Sequence, residues 1–189
     1  MIISDGESII LSKSRHEFKI SVLGDPMVGK TSLINQICFK RFKQNYLSTM
    51  GVDITTKPVS IKGRNFRLIF WDMAGQARFE RHRKSFYSGS QGLIFVADCT
   101  NLHTLYSLVE WLREVKSVWT AEIPRALVIN KIDLIDDMKT SDKDIEKVAE
   151  ILSIPENLVI KTSAKEGTNI ELVLNNLTSA IYDNFLNKK

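Results

Sequence analysis

The sequence predicts one α/β domain with a six-stranded, mostly parallel sheet and helices on both of its faces. Short runs rich in β-branched and aromatic residues alternate with longer amphipathic runs, the pattern of parallel strands that are joined by crossover helices. The chain has 189 residues, of which 43% are hydrophobic and 25% are charged. It is therefore as long as one ordinary domain and can form a substantial core.

The first half of the chain predicts a strand, a helix and a hairpin. The first strand is expected at Phe18 to Leu23, and a helix should begin at about Gly29 or Lys30 and continue through Ile37. Two strand-like stretches follow, Val52 to Ile61 and Phe66 to Trp71, with the turn-prone residues 62–65 between them. We expect these two strands to pair as a hairpin, which gives the sheet one antiparallel strand.

The second half alternates strands and helices more regularly. Strands are predicted at Leu93 to Ala97, Ala126 to Asn130 and Val159 to Lys161, and helices at Thr104 to Val118 and Ser141 to Leu152. A last helix is expected because apolar residues recur there at spacings of three and four, namely Ile170, Val173, Leu174, Leu177 and Ile181.

Composition and charge disfavour several classes of protein. The net charge of +4 comes from 26 basic and 22 acidic residues, which is weak evidence for a nucleic-acid partner. Cys38 and Cys99 lie in apolar segments and form no disulfide framework, so we expect a reducing, cytoplasmic location. No segment approaches the ~20 apolar residues that span a bilayer, and no Cys/His spacing resembles a zinc site.

A glycine-rich loop follows the first predicted strand directly. Its residues, Gly24-Asp25-Pro26-Met27-Val28-Gly29-Lys30-Thr31, match the pattern G-x-x-x-x-G-K-[ST] between a strand and a helix. In such a loop, backbone N–H groups and a helix N-terminus face phosphate oxygens, while Lys30 adds a point charge at the β and γ phosphates. Thr31 would ligate Mg²⁺. The alternative is a glycine turn before an exposed lysine, but the strand-then-helix context favours nucleotide binding.

Two later loops indicate which base is bound. Asn130-Lys131-Ile132-Asp133 follows the fifth predicted strand, and Thr162-Ser163-Ala164-Lys165 follows the sixth. Guanine carries an N1–H and an exocyclic amino group, so a fixed carboxylate at Asp133 can accept both, whereas adenine presents an acceptor at N1. A site built on matched hydrogen bonds can reject the wrong analogue by ~10⁴ or more. These loops therefore predict a guanine nucleotide.

Further motifs stand between these loops, in order and at consistent spacing. They are Tyr-Leu-Ser-Thr-Met-Gly-Val-Asp at 46–53, Trp-Asp-Met-Ala-Gly-Gln at 71–76, and a tract from Arg-Phe at 78–79 through Phe-Tyr-Ser-Gly at 86–89. With them the chain resembles a Ras-superfamily small GTPase, and most of all the Rab branch. The resemblance covers about residues 17–186 and implies a P-loop NTPase G domain, with an N-terminal extension at 1–16 and a short tail at 187–189.

The resemblance implies how the phosphates and the metal are held. Gln76 would orient the attacking water, with Lys30 and the Gly75 backbone N–H at the γ phosphate. Mg²⁺ would be held by the hydroxyls of Thr31 and Thr49, and by Asp72 through water.

The resemblance also implies how the base is held. Asn130 would hold the purine edge and the phosphate loop, the Lys131 stem and Phe42 would lie on opposite sides of guanine, and the Ala164 N–H would meet the guanine oxygen. The full nucleotide-binding set is Gly24, Asp25, Pro26, Met27, Val28, Gly29, Lys30, Thr31, Ser32, Phe42, Tyr46, Thr49, Gly75, Asn130, Lys131, Asp133, Ser163, Ala164 and Lys165.

Together these roles imply a molecular switch in membrane-trafficking-type regulation. Thr49 and Gly75 would meet the γ phosphate, so hydrolysis of GTP to GDP and phosphate would release two switch segments, near 43–54 and 72–88. Intrinsic hydrolysis in such sites is slow, ~10⁻⁴ to 10⁻² s⁻¹. We expect a monomer whose switch segments bind effector, GTPase-activating and nucleotide-exchange proteins. Ile54, Trp71 and Phe86 match an apolar trio that Rab proteins present to effectors, although packing beneath the switches is an equally good interpretation.

Some residues depart from the family pattern. Pro26 replaces a glycine or serine, Met73 a threonine and Ala77 an acidic residue. Because proline fixes φ and lacks an N–H, we hypothesise that Pro26 limits stimulation by activating proteins. The chain ends without a prenylatable cysteine and has no glycine after Met1, so membrane contact is expected only through partners or an anchor that is not encoded here.

Other functions remain as alternatives. A scaffold locked onto GTP or GDP, with negligible hydrolysis, stays open because of Pro26. A P-loop kinase is disfavoured because the sequence has no lid-like insertion and carries the guanine loops. The basic residues 78–84 could form a nucleic-acid patch, but they fall in a switch segment and no stacking module accompanies them.

Overall fold

A six-stranded sheet organises the part of the chain that the structure, a computed structural model, describes: residues 16–42, 49, 51–75 and 84–187. The strands are β1 (His16–Leu23), β2 (Val52–Ile61), β3 (Arg64–Met73), β4 (Gly92–Asp98), β5 (Arg125–Asn130) and β6 (Val159–Lys161). Their order across the sheet is β2-β3-β1-β4-β5-β6. All neighbours pair in parallel except β2 and β3, which are antiparallel. The predicted fold class is confirmed.

Within the described residues, five helices pack around this sheet. They are α1 (Lys30–Phe39), α2 (Leu102–Tyr106), α3 (Leu108–Lys116), α4 (Asp142–Ile151) and α5 (Ile170–Asn187), with short 3₁₀ helices at Ile132–Asp137 and Glu156–Leu158. α1 contacts α5, while α2, α3 and α4 contact one another, so the helices form two groups. Within the described ranges, none of the helices has the length and apolar character needed to cross a membrane.

The central strands form the core. Every residue of β4 and β5 is buried, because helices cover the middle of the sheet on both sides. Edge strand β2 instead alternates exposed and half-buried residues along most of its length. Since the carboxyl ends of parallel strands meet at one edge, the loops after β1, β3, β4, β5 and β6 converge there. That edge is where the motif residues lie.

The hairpin between β2 and β3 is tighter than predicted. Its turn is only Lys62 and Gly63, whose φ angles of 48° and 75° are both positive. Two consecutive positive φ angles match the twist of a two-residue hairpin loop. Arg64 and Asn65, predicted in the turn, belong to β3 and pair with β2. Pro58 lies within β2, opposite Arg67.

The predicted helix at 104–118 was wrong in its extent. It begins earlier, at Leu102, and is divided at Ser107 into α2 and α3. Asn101 caps α2 by accepting a hydrogen bond from the backbone N–H of His103. The Ser107 hydroxyl donates to the Asp25 carboxylate in the glycine-rich loop at 2.8 Å, and its oxygen also lies 3.1 Å from the Thr104 carbonyl oxygen. Residues 1–15 of the predicted extension, and residues 188 and 189, lie outside the described residues.

Candidate functional site

The loop between β1 and α1 lies tightly against two neighbouring strands. Gly24 has a φ of 136°, and a Cβ there would lie 2.3 Å from the Val96 carbonyl oxygen on β4. Gly29 has a φ of 100°, and a Cβ there would lie 2.2 Å from Asn130 Nδ2 at the end of β5. Both positions need glycine, for the backbone conformation and for the close approach. The glycine spacing of the motif is thus explained by how the loop packs.

Lys30 points back into this loop. It is the first residue of α1, it is only 6% exposed, and its Nζ donates to the carbonyl oxygens of Gly24 and Asp25, both at 2.8 Å. The loop thus holds a buried ammonium, and the N-terminus of α1 that follows it also attracts anions. Together they are suited to bind phosphate. A small cavity lies beside it, lined by Pro26, Met27, Gly29, Lys30, Thr31, Thr49 and Gly75.

Three oxygen-bearing side chains converge next to Lys30. Thr31 Oγ1 lies 3.0 Å from Thr49 Oγ1 and donates to Asp72 Oδ2 at 2.5 Å, while Thr49 Oγ1 lies 3.4 Å from the same carboxylate oxygen. Burial raises the pKa of Asp72, although the hydrogen bond from Thr31 and the charge of Lys30 oppose that rise. Asp72 Oδ1 is buried and has no hydrogen-bond partner among the described residues. Two hydroxyls and a carboxylate with an unsatisfied oxygen fit a hard cation such as Mg²⁺.

A larger cavity of about 370 Å³ lies on the other side of the loop. Pockets for small molecules are typically ~300–1,000 Å³, so this cavity has the volume of a small-molecule site. It is lined by Met27, Gly29, Ser32, Phe42, Asn130, Lys131, Asp133, Leu134, Ala164 and Lys165. Of these, Leu134 alone was not among the predicted nucleotide-binding residues.

Asn130 joins three loops from beneath this cavity. Its Nδ2 donates to the Val28 carbonyl at 2.9 Å, and its Oδ1 accepts from the Ala164 backbone N–H at 3.0 Å and from Thr162 Oγ1 at 3.2 Å. The side chain is 2% exposed. The predicted contact with the phosphate loop is present, and the same amide also joins this loop to the segment after β6.

The side chains that face the cavity are themselves fixed. Asp133 Oδ1 accepts a hydrogen bond from Ser163 Oγ at 2.6 Å, and Lys165 Nζ lies 3.8 Å from Asp133 Oδ2. Lys131 has a left-handed backbone with a φ of 70°, and its Nζ lies 2.5 Å from Asp98 Oδ2. Sequence reasoning missed Asp98. Asp98 directly follows the predicted strand 93–97, and only the register of β4 against β5, which pairs it with Asn130, brings it to Lys131.

The side chain of Asp25 points away from the two cavities. Its carboxylate accepts hydrogen bonds from Ser107 Oγ and Trp111 Nε1, so its side chain faces α2 and α3. Gln76 and Tyr46, predicted for catalysis and nucleotide binding, lie outside the described residues, as does Ala77. Pro26 is exposed beside Gly75.

The predicted apolar trio is brought together by the pairing of β2 with β3 and by the contact of Trp71 with Phe86. Ile54 on β2 is 50% exposed and pairs across the hairpin with Trp71, whose ring centroid lies 5.5 Å from that of Phe86. Lys19 Nζ lies 4.0 Å from the Trp71 ring centroid and donates to the Ser88 carbonyl. Burial lowers the pKa of Lys19. The trio is therefore partly exposed, and its Trp71 packs against Lys19 of β1.

Comparison with known proteins shows the family of this chain. A family model described as "Ras family" matches residues 19–183. The chain belongs to the Ras family. Among its relatives in this family, the Ras-related protein Rab-1C of Dictyostelium discoideum is 36% identical over 163 residues, covering 86% of this chain and 80% of the relative. The GTP-binding protein ypt1 of Schizosaccharomyces pombe is 34% identical over 154 residues, covering 82% and 74%.

A second Dictyostelium discoideum protein, Ras-related protein Rab-1D, is 35% identical over 154 residues, covering 82% of this chain and 74% of the relative. The predicted membership is confirmed: this Ras-family chain is a Rab-like small GTPase.

Proposed function

We propose that this Rab-like chain binds GTP and GDP together with Mg²⁺, hydrolyses GTP slowly, and uses the two nucleotide states to control a protein-binding surface. The observation that carries the proposal is the convergence, at one edge of the sheet, of a buried lysine in a phosphate-type loop, an oxygen cluster and a shaped cavity. Family membership alone would not say whether this chain retains a competent site.

The cavity supports guanine as the base. The Asp133 carboxylate is oriented by Ser163 and is well placed to accept the two neighbouring N–H donors that guanine presents. Phe42 and Lys131 both line the cavity and can cover the base. Because the carboxylate is acceptor-only, adenine would leave it unpaired, and such a mismatch costs affinity.

The oxygen cluster supports a metal-assisted phosphate site. Thr31, Thr49 and Asp72 would hold Mg²⁺, which when bound supplies positive charge that offsets the charge developing on the β and γ phosphates. Lys30 would orient the phosphates from the other side. A Cβ on Gly75 would lie 2.5 Å from the Pro26 nitrogen, so the Gly75 backbone approaches the loop closely enough to sense a γ phosphate. Gln76, directly after it, would orient the attacking water.

The same contacts support a switch. Thr49 and Gly75 belong to different switch segments, and both line the small cavity beside Lys30. Loss of the γ phosphate would remove the group that both segments contact. The release of the switch segments would then change how the apolar trio is exposed to effector, activating and exchange proteins. The trio is Ile54, Trp71 and Phe86. As the Rab resemblance implies, we place this switch in membrane-trafficking-type regulation.

The test is single-turnover GTP hydrolysis with Mg²⁺ on the wild type and Gln76→Leu, with bound nucleotide identified before and after. We expect slow conversion of bound GTP to GDP in the wild type and a much slower one in Gln76→Leu. Persistence of GTP in the wild type over hours would instead support the locked scaffold.

A second arm tests the base. In Asp133→Asn, the amide can accept from N1–H and donate to a C2 carbonyl, which matches xanthine rather than guanine. Binding of GTP should weaken and binding of XTP should strengthen. Unchanged preference for GTP would show that Asp133 does not recognise the base.

A further inference from the structure

The carboxylate of Asp25 connects the phosphate loop to the helices beside it. Its Oδ2 accepts from Ser107 Oγ at 2.8 Å, and its Oδ1 accepts from Trp111 Nε1 at 2.9 Å. His103 Nδ1 lies 3.6 Å from Oδ2. Trp111 is 5% exposed and belongs to the hydrophobic core, so the anchoring donor is itself held rigidly.

The backbone of the same residue contacts the groups proposed to meet the γ phosphate. The Asp25 carbonyl accepts from Lys30 Nζ at 2.8 Å. A Cβ on Gly75 would lie 2.6 Å from the Asp25 carbonyl carbon and 2.5 Å from the Pro26 nitrogen. The peptide between residues 25 and 26 is thus the surface against which Gly75 rests.

The position of the Asp25 carboxylate in a loop proposed to bind phosphate is unusual, because both groups are negatively charged. Turned toward phosphate, its charge would oppose nucleotide binding. Turned toward an indole N–H and a hydroxyl, it forms charge-assisted hydrogen bonds that direct the negative charge to the helix side. The loop then gains an attachment point that an apolar residue would not provide.

We propose that the Asp25 carboxylate is a positioning residue, which fixes the peptide at 25–26 through Ser107 and Trp111 and thereby places Lys30 and Gly75 for the γ phosphate. This inference rests on the proposed function. Gly75 would contact only GTP, through the γ phosphate, whereas Lys30 would contact the phosphates of both GTP and GDP. Loss of the anchor therefore affects hydrolysis and GTP retention more than GDP retention.

The variant that removes the anchor is Asp25→Ala. Because small misplacements near reacting groups can cost up to ~100-fold, single-turnover hydrolysis should slow by roughly 10- to 100-fold. Dissociation of a non-hydrolysable GTP analogue should accelerate more than dissociation of GDP. Asp25→Asn should recover much of the lost rate, because its amide can accept from Trp111 and donate to Ser107.

Trp111→Phe tests the anchoring donor, since it removes the indole N–H but keeps an aromatic ring in the core. It should slow hydrolysis, and the double variant with Asp25→Ala should be no slower than Asp25→Ala alone. The matched control is Trp119→Phe, because the Trp119 indole nitrogen has no partner among the described residues. That control should hydrolyse GTP like the wild type.

Three results would overturn the anchor. The first is that Asp25→Ala hydrolyses GTP at the wild-type rate. The second is that Asp25→Ala releases GDP and the GTP analogue equally faster and has a lower melting temperature. The third is that the effects of Asp25→Ala and Trp111→Phe on hydrolysis add in the double variant. A wild type that binds no guanine nucleotide would overturn the proposed function and the anchor together. A wild type that hydrolyses GTP, alongside an equally active Asp25→Ala, would overturn the anchor alone.

Discussion

Replacing Asn130 by alanine should destabilise the protein even without nucleotide. The substitution leaves three groups without their partner: the Val28 carbonyl, the Thr162 hydroxyl and the Ala164 backbone N–H. These groups belong to the phosphate loop and to the segment that follows β6. The side chain that joins them is almost completely buried, so water cannot readily replace it.

The size of the effect follows from the number of unpaired groups. A buried donor or acceptor that loses its partner costs about 1–3 kcal/mol. Three such groups would cost about 3–9 kcal/mol if they were independent, but all three share one partner and can relax together. We therefore expect a loss of about 3–5 kcal/mol, which for a domain of this size corresponds to a melting temperature lower by about 6–20 °C.

The assay is urea unfolding followed by far-UV circular dichroism, with and without GDP. The control is Thr162→Val, which keeps the side-chain shape and removes one of the three hydrogen bonds. It should lose about 1 kcal/mol. If Asn130→Ala loses less than this control in the nucleotide-free protein and still binds GDP poorly, Asn130 serves the base alone and the loop-joining argument is wrong.

Other predictions concern the loops and the thiols. Gly29→Ala places a Cβ 2.2 Å from Asn130 Nδ2 at a φ of 100°, so it should abolish GDP binding in a fluorescence titration; near-normal affinity would mean that the loop can move aside. Asp98→Ala should weaken GDP binding by a factor similar to Lys131→Ala, because Asp98 Oδ2 holds the Lys131 ammonium, and an unaffected affinity would show that this ion pair is dispensable. Burial raises the pKa of the Cys38 thiol to about 11, so only about one thiol in a thousand is ionised at pH 8. Alkylation of native Cys38, followed by mass spectrometry, should therefore be slow at pH 8 and should accelerate as pH rises toward 11, and fast labelling at pH 8 would contradict this.

The strands were predictable because their signal is local. β2 and β6 begin and end where the apolar pattern predicted, and the strand before the glycine-rich loop was extended only by its exposed first residues. The meeting of the loops was also predictable, because parallel strands carry their carboxyl ends to one edge. Lys30, Thr31 and Asp72 lie together as the motif order required.

What could not be predicted depends on contacts between distant segments. Asp25 and Trp111 are 86 residues apart, and nothing in either local pattern indicates that one accepts a hydrogen bond from the other. The division of the helix at Ser107 is similar, since helical periodicity continues through it. Asp98 resembles the last residue of any buried strand until the fold brings Lys131 beside it. The predicted role of Gln76 stays a prediction.

Pro58 limits how another chain can add a strand to this sheet. β2 is an edge strand, and proline is tolerated there because its missing N–H faces outward. The outward side of β2 therefore lacks a donor near its middle, and continuous backbone pairing with a second strand is interrupted. Only the stretch from Val52 to Lys57 remains as an uninterrupted edge, and it includes Ile54. One proline thus limits edge-to-edge pairing along β2, while the backbone on its N-terminal side keeps its outward-facing donors.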